Sequence, residues 1–231
     1  GHYQKELSSV PDGVALLSGL EHFERKNGKF ETANNSPFDL LNTAFTDSGM
    51  CIVVEKDTQV EIPIRILFIS NGVRSIMVNP RVYIDVAESS SLTFMEHHVG
   101  DAESFFQNES VFISLENNAQ FNHIRIQSNS EFTQNIASIN VNKDADSQYH
   151  FWQLVDGGKL GRSNICVQLN GENAQCYINS LALSKNNQHI DNNIIVNHNS
   201  PQTHSSQFVK SILFDTSTGV FNGRTVVHKN A

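Results

Sequence analysis

From Cys51 onward the chain repeats itself. A short apolar run ending in Val or Leu is followed by three or four polar residues, then a small residue, then another run. Such units begin at Val54, Val86, Leu115, Val141 and Leu169, which are 32, 29, 26 and 28 residues apart. A last one begins at Val227, two periods beyond Leu169, with a degenerate copy near Val196. A period of this size, holding two short strands and a polar corner, describes one coil of a solenoid. One coil cannot cover its own apolar side, so coils must stack, each giving hydrogen bonds and cover to the next. Small residues such as Ala119, Ala145 and Ala174 recur where the backbone must bend tightly. The sequence therefore predicts an all-β chain, a right-handed parallel β-helix (β-solenoid) over residues 51–231. A β-sandwich or jelly roll is the alternative, since it too strings short strands at regular spacing.

Runs at 62–69, 82–86, 111–115, 136–141 and 165–169 have strand composition and length. They are nearly continuous in apolar residues, as parallel strands buried on both faces are. Residues 1–50 read differently, as a helical and loop segment. Leu16, Leu17, Leu20 and Phe23 fall near a 3.6 spacing and predict a helix over 11–26. Ser36 followed by Pro37 predicts the start of a second, short helix.

Composition excludes several function classes. The net charge is −8 with no basic stripe, which argues against nucleic acid. No apolar run reaches the length of a membrane-spanning helix, and the first residues lack the pattern of a secretory signal. Three cysteines, Cys51, Cys166 and Cys176, without C-x-x-C spacing suit free thiols in a reducing compartment, by default the cytoplasm. No nucleophile elbow, kinase set or convincing triad is present, and no enzymatic activity is expected.

The residues open to chemistry are few. His198 and His204 share a polar loop and are candidate metal ligands. Corner hydrogen bonding is the plainer reading. His97 and His98, beside Glu96, face opposite sides of a strand and cannot share one ion without a bulge. Cys166 is a candidate ligand or sulfur-handling thiol, although a lone strand cysteine is more often a small buried hydrophobe. The glycine-rich 156–162 segment has neither P-loop nor Rossmann spacing and reads as a turn.

Two segments resemble the SufB/SufD family of the SUF iron–sulfur cluster assembly system. The first is Pro37-Phe38-Asp39-Leu40-Leu41-Asn42-Thr43-Ala44-Phe45, running through Gly49 into Val60-Glu61-Ile62-Pro63-Ile64. The second is His198-x-x-Pro201-x-x-His204-Ser205-Ser206-Gln207-Phe208-x-Lys210, followed by Gly219-Val220-Phe221-Asn222-Gly223-Arg224-x-Val226-Val227 and Ala231. The Leu41–Phe45 element and the lack of a cysteine-rich cluster motif are more similar to the SufD branch.

The resemblance implies a scaffold subunit working with a SufB-like paralogue and an ABC-type, SufC-like ATPase. The ATPase would dock on a C-terminal helical domain that this core fragment lacks. It implies no cofactor in the fragment itself, with an iron–sulfur cluster formed in the assembled complex. Val220, Phe221, Val226 and Val227 are the expected subunit interface, a homodimer being possible. Rival functions are an extracellular β-helix polysaccharide lyase or hydrolase, and a cupin-like metalloprotein using the histidines.

Overall fold

The computed structural model describes residues 10–18, 36–46, 49–72, 75–229 and 231. Its elements in chain order are β1 (Val14–Ser18), α1 (Pro37–Phe45), β2 (Gly49–Val54), β3 (Ile64–Ser70), β4 (Ile76–Val78) and β5 (Arg81–Val86). They continue with β6 (Ser91–Gly100), β7 (Phe105–Leu115), β8 (Gln120–Asn129), β9 (Thr133–Lys143) and β10 (Gln148–Val155). The last are β11 (Leu160–Leu169), β12 (Gln175–Ser184), β13 (His189–His198), β14 (His204–Leu213) and β15 (Thr218–Val227). Even-numbered strands from β6 to β14, with β3, form one six-stranded sheet. The larger sheet runs β1-β2-β5-β7-β9-β11-β13-β15, with β4 beside β7. Every pairing is parallel except β1 with β2. The chain is a parallel β-solenoid with a short helical segment near its N-terminus.

Alternation along each strand sends every second residue into the lumen. Val82, Val111, Ile139, Ile165 and Ile194 stack in this way into one apolar column, all buried. Across the lumen Phe94, Phe121 and Tyr149 stack with ring centroids 6.3 and 6.0 Å apart. Each such column exists only because the rungs share one register, and a one-residue slip would turn it outward.

The corners close by a common device. Asp57, Ser89, Asn118, Asp146, Asn173 and Gln202 hold positive φ in one corner column, Asn186 and Asp215 in another. Asn and Asp tolerate this region because their short side chains bond locally. A hydroxyl donating to the carbonyl three residues before it ties several corners: Ser147 Oγ donates to the Asp144 carbonyl at 2.6 Å, and Thr203 Oγ1 to that of Ser200 at 3.0 Å.

Two sequence readings are corrected. Leu115 pairs with Lys143, and Lys143 with Leu169, so the fourth repeat begins at Lys143 and not at Val141. The next is His198, not Val196. An apolar-ending rule slips here because a buried lysine and a histidine take the place of Leu and Val. The helix expected over 11–26 is also not formed where it is described: Val14–Ser18 is a strand, and 19–26 lie outside the described residues. The open edge of β2 offers backbone partners, and Val14 and Leu16 alternate into the core, so tertiary pairing overrides the leucine spacing.

Helix α1 forms as its start chemistry predicts, with Ser36 Oγ accepting from Asp39 N–H at 3.3 Å and Pro37 in the first turn. It docks on the outer face of the larger sheet through its polar side. Asn42 donates to the carbonyls of Pro80 and Asn108 at 3.0 and 2.8 Å, and Arg81 donates to Asn42 Oδ1 and Thr43 Oγ1 at 2.8 and 2.7 Å. Leu40 and Phe45 stay exposed.

Lys143 is fully buried at the corner, donating to the carbonyls of Ser147 and Gln175. Burial pushes its ammonium down to about 7, from an ordinary value of 10.5. The folded chain therefore releases a proton that the unfolded chain keeps between these two values, and Lys143 adds stability as pH rises through that window. In urea unfolding, the stability of the wild type relative to Lys143→Met should be flat below about pH 7 and climb towards about pH 10. The Met variant should be the more stable at pH 6, by on the order of 1–4 kcal/mol.

Candidate functional site

The lumen has two halves. One is the apolar column and aromatic stack described above. Along the other, inward positions are polar: Glu96 and His98 on β6, Arg125 and Gln127 on β8, Gln153 on β10, Ser180 on β12. Facing them are Gln107 and Glu109 on β7, Asn135 on β9, Ser163 on β11 and Asn192 on β13, all buried. The stripe runs along the solenoid axis because equivalent strand positions stack rung on rung.

Its charged centre is compact. Arg125 is the rung partner of Glu96. Its Nη1 donates to Glu96 Oε2 at 2.5 Å and, across the lumen, to Glu109 Oε2 at 2.7 Å. The same nitrogen lies 2.9 Å from His98 Nε2, and Nη2 donates to Asn135 Oδ1 at 2.9 Å. His98 is held by Gln107, with 3.0 Å between Nδ1 and Nε2, and its ring stacks on Phe68 at 4.5 Å. His123 bridges Glu96 Oε1 to the Tyr149 hydroxyl, the latter at 3.0 Å. Further along the axis Gln153 donates to Ser180 and Asn192 and accepts from Ser163, at 3.2, 2.9 and 2.9 Å.

The environment separates the two carboxylates. Burial opposes the charge of Glu96, but Arg125 and then His123 outweigh it and hold the group well below the usual range. Glu109, pushed up by burial and then by the charge of Glu96, goes to about 8. His98 is pushed down to about 4 by burial and then Arg125, so its imidazole is neutral near pH 7. One carboxylate stays charged while its neighbour tends to keep a proton.

The ligand atoms of Glu96, His98 and Glu109 all lie within 4.8 Å of one another. One imidazole and two carboxylates make a donor set suited to a divalent first-row metal. The expectation that this fragment carries no cofactor is therefore corrected, because these residues can hold an ion. In this structure the positive charge among them is the Arg125 guanidinium.

The sequence candidates lie elsewhere. His198 sits at the end of β13, with Nδ1 2.7 Å from Thr203 Oγ1 and Nε2 2.8 Å from Ser205 Oγ. His204 opens β14 on the outer face, its ring 5.5 Å from Tyr177. Cys166 points outward from β11, near the amides of Gln168 and Asn197 at 3.5 and 3.9 Å. Cys176 points inward, and burial pushes its thiol up to about 12. The metal-apt set, the one such group among the described residues, includes none of His198, His204 or Cys166.

His97 and His98 do face opposite sides, as their adjacency required. Sequence reasoning missed Glu109, which joins Glu96 and His98 from the other sheet. The available signal was parity: Glu96 and His98 continue the inward series of Leu92 and Phe94.

The parallel ladder with a buried ionic stripe defines a β-solenoid core domain, and among the described residues no helix is long and apolar enough to cross a membrane. Residues 68–231 match the family model described as SUF system FeS cluster assembly, SufBD core domain, and the chain belongs to that family. It is 29% identical over its whole length to "Iron-sulfur cluster assembly protein SufD" of Escherichia coli (strain K12), covering 55% of that protein. It is 30% identical over 97% of its length to "Protein ABCI7, chloroplastic" of Arabidopsis thaliana, covering 50% of it. The chain thus spans about half the length of the curated relatives it matches. Within the family it is similar to SufD proteins.

Removing Arg125 leaves two carboxylates and an imidazole facing one another in a buried lumen. Arg125→Met should lower stability by about 3–5 kcal/mol in urea unfolding. Added Mn²⁺ or Zn²⁺ should restore part of that loss, and His98→Ala in the same background should abolish the recovery.

Proposed function

We propose that this chain is the β-solenoid core of a scaffold subunit for iron–sulfur cluster assembly, acting in the cytoplasm or an equivalent reducing compartment. Its partners are a SufB-like paralogue and an ABC-type ATPase, the cluster being cargo of the complex. The observation that carries the reading is the family match across 68–231, laid over an uninterrupted parallel ladder. A stack of rungs is a rigid rod, suited to holding partners at fixed spacing and not to closing around a substrate.

The end rung supports an interface there. β15 is an edge strand of the larger sheet and β14 of the smaller. Such edges offer unpaired N–H and C=O groups to another chain. Phe221 and Val227 carry on the inward columns of Asn192 and His198, whereas Val220 and Val226 pair with outward-facing Asp191 and Asn197. Val220, Phe221 and Val227 are exposed at 42%, 52% and 68%. Apolar side chains at that exposure, on an open edge, suit a partner's strand.

The test is a pull-down of the full-length protein from its own cells. Recovery of a SufB-like chain and an ATPase supports the reading. Phe221→Lys with Val226→Lys should cut recovery of the paralogue by about tenfold or more while sparing the ATPase. Recovery of neither partner from wild-type cells would overturn it, and a symmetric self-dimer alone would replace the paralogue with a second copy.

A further inference from the structure

A cavity of about 360 Å³ lies on the outer face of the larger sheet, lined by the first turn of α1 and by residues of β9, β11 and β13. It is remote from the lumen's ionic stripe, because its sheet residues have the opposite parity. Asn140 and Asn164 rise from neighbouring positions of β9 and β11 into its wall. Asn140 is 6% exposed, and its Nδ2 has no hydrogen-bond partner among the described residues. The Nδ2 of Asn164 is also buried and without one. The amide of Asn164 cannot be turned round to cure this. Its Oδ1 already accepts from Arg162 Nε at 3.2 Å, and a guanidinium N–H can only donate. Two buried N–H groups left empty cost about 1–3 kcal/mol each, so the wall is short of acceptors.

The surroundings narrow what would supply them. Arg162 stands at the rim, about a third exposed, its charge shared with Asp191 at 2.8 Å. The first turn of α1 adds the positive end of a helix dipole. Phe38 and Ile195 give the cavity an apolar flank. Asp39, on the same wall, is buried and already engaged, accepting from Ser110 at 3.2 Å. We infer that this cavity is a binding site for a small organic oxyanion. The Asn140 and Asn164 amides and Arg162 take its oxygens, and Phe38 and Ile195 cover its apolar part. A hydroxy-carboxylate and a phosphate monoester share this chemistry. The inference stands independently of the scaffold role.

Calorimetric titration of the full chain with phenyl phosphate and with mandelate distinguishes the two sources, with benzyl alcohol as the uncharged control. One of the anions binds at a single site, and benzyl alcohol does not. Asn164→Asp keeps the size of the side chain but replaces its N–H donors with a carboxylate, and weakens binding at least about tenfold. Ile195→Trp fills the cavity from its apolar side and abolishes binding, with the thermal unfolding midpoint kept, so the test does not hang on one variant's folding. The site is overturned if neither anion binds at about 10 mM, if benzyl alcohol binds as well as they do, or if both variants bind like the wild type.

Discussion

The parallel hydrogen-bond ladder between successive rungs is the constraint on which everything else in this protein rests. It fixes the distance between equivalent residues along the axis, and it fixes their parity. Once those are set, any residue type that recurs at one strand position becomes a continuous column. The valine–isoleucine column, the aromatic stack and the ionic stripe are three outcomes of this single rule. None of them is a local motif in the ordinary sense, since each is assembled from residues roughly one coil apart in sequence.

The lumen shows how a solenoid can pair polar groups with one another in its interior. Arg125 reaches both carboxylates and Asn135, so most of its donors are matched. Glu109 Oε1 and Asn135 Nδ2 are left without partners among the described residues. A buried network this close to complete costs stability relative to an apolar filling. Its position beside the buried apolar columns is where such a cost can be carried. The metal-apt geometry of Glu96, His98 and Glu109 and the ion pairs of Arg125 are two readings of one electrostatic fact: a cation belongs at that point.

Much of the architecture was legible because corners and strands repeat. The residues near Asp57, Ser89 and Asn118 announce bends by composition, and the runs between them announce strands by length. The register failed at Lys143, where a lysine lies inward at a position that Leu115 and Leu169 hold in adjacent rungs, and no hydropathy rule expects it there. The opening strand was misread because Val14–Ser18 owes its conformation to an edge it meets only in three dimensions. The site was half legible. Glu96 and His98 show their shared side by spacing, whereas Glu109 enters from a different sheet and has no local signature. The histidines at 198 and 204 drew attention through mere proximity in sequence, and the strand ending between them sets them apart. The Asn42 and Thr43 that mark the family resemblance have a plain structural task, clamping α1 to the sheet through Arg81.

A ladder made of backbone bonds alone is indifferent to which coil lies on which. The opposed charges in this lumen are not. Glu96 must sit one coil from Arg125, and Glu109 must arrive across from both, so the charged cluster works as an indexing key for the whole rod. Excising the coil that carries Arg125 would leave the corner rules intact, yet would set the Glu96 carboxylate beside Gln153 in place of the guanidinium. Length in this protein is therefore not freely adjustable, unlike that of uniform repeat arrays, and the distance between whatever engages its two ends is built into the sequence.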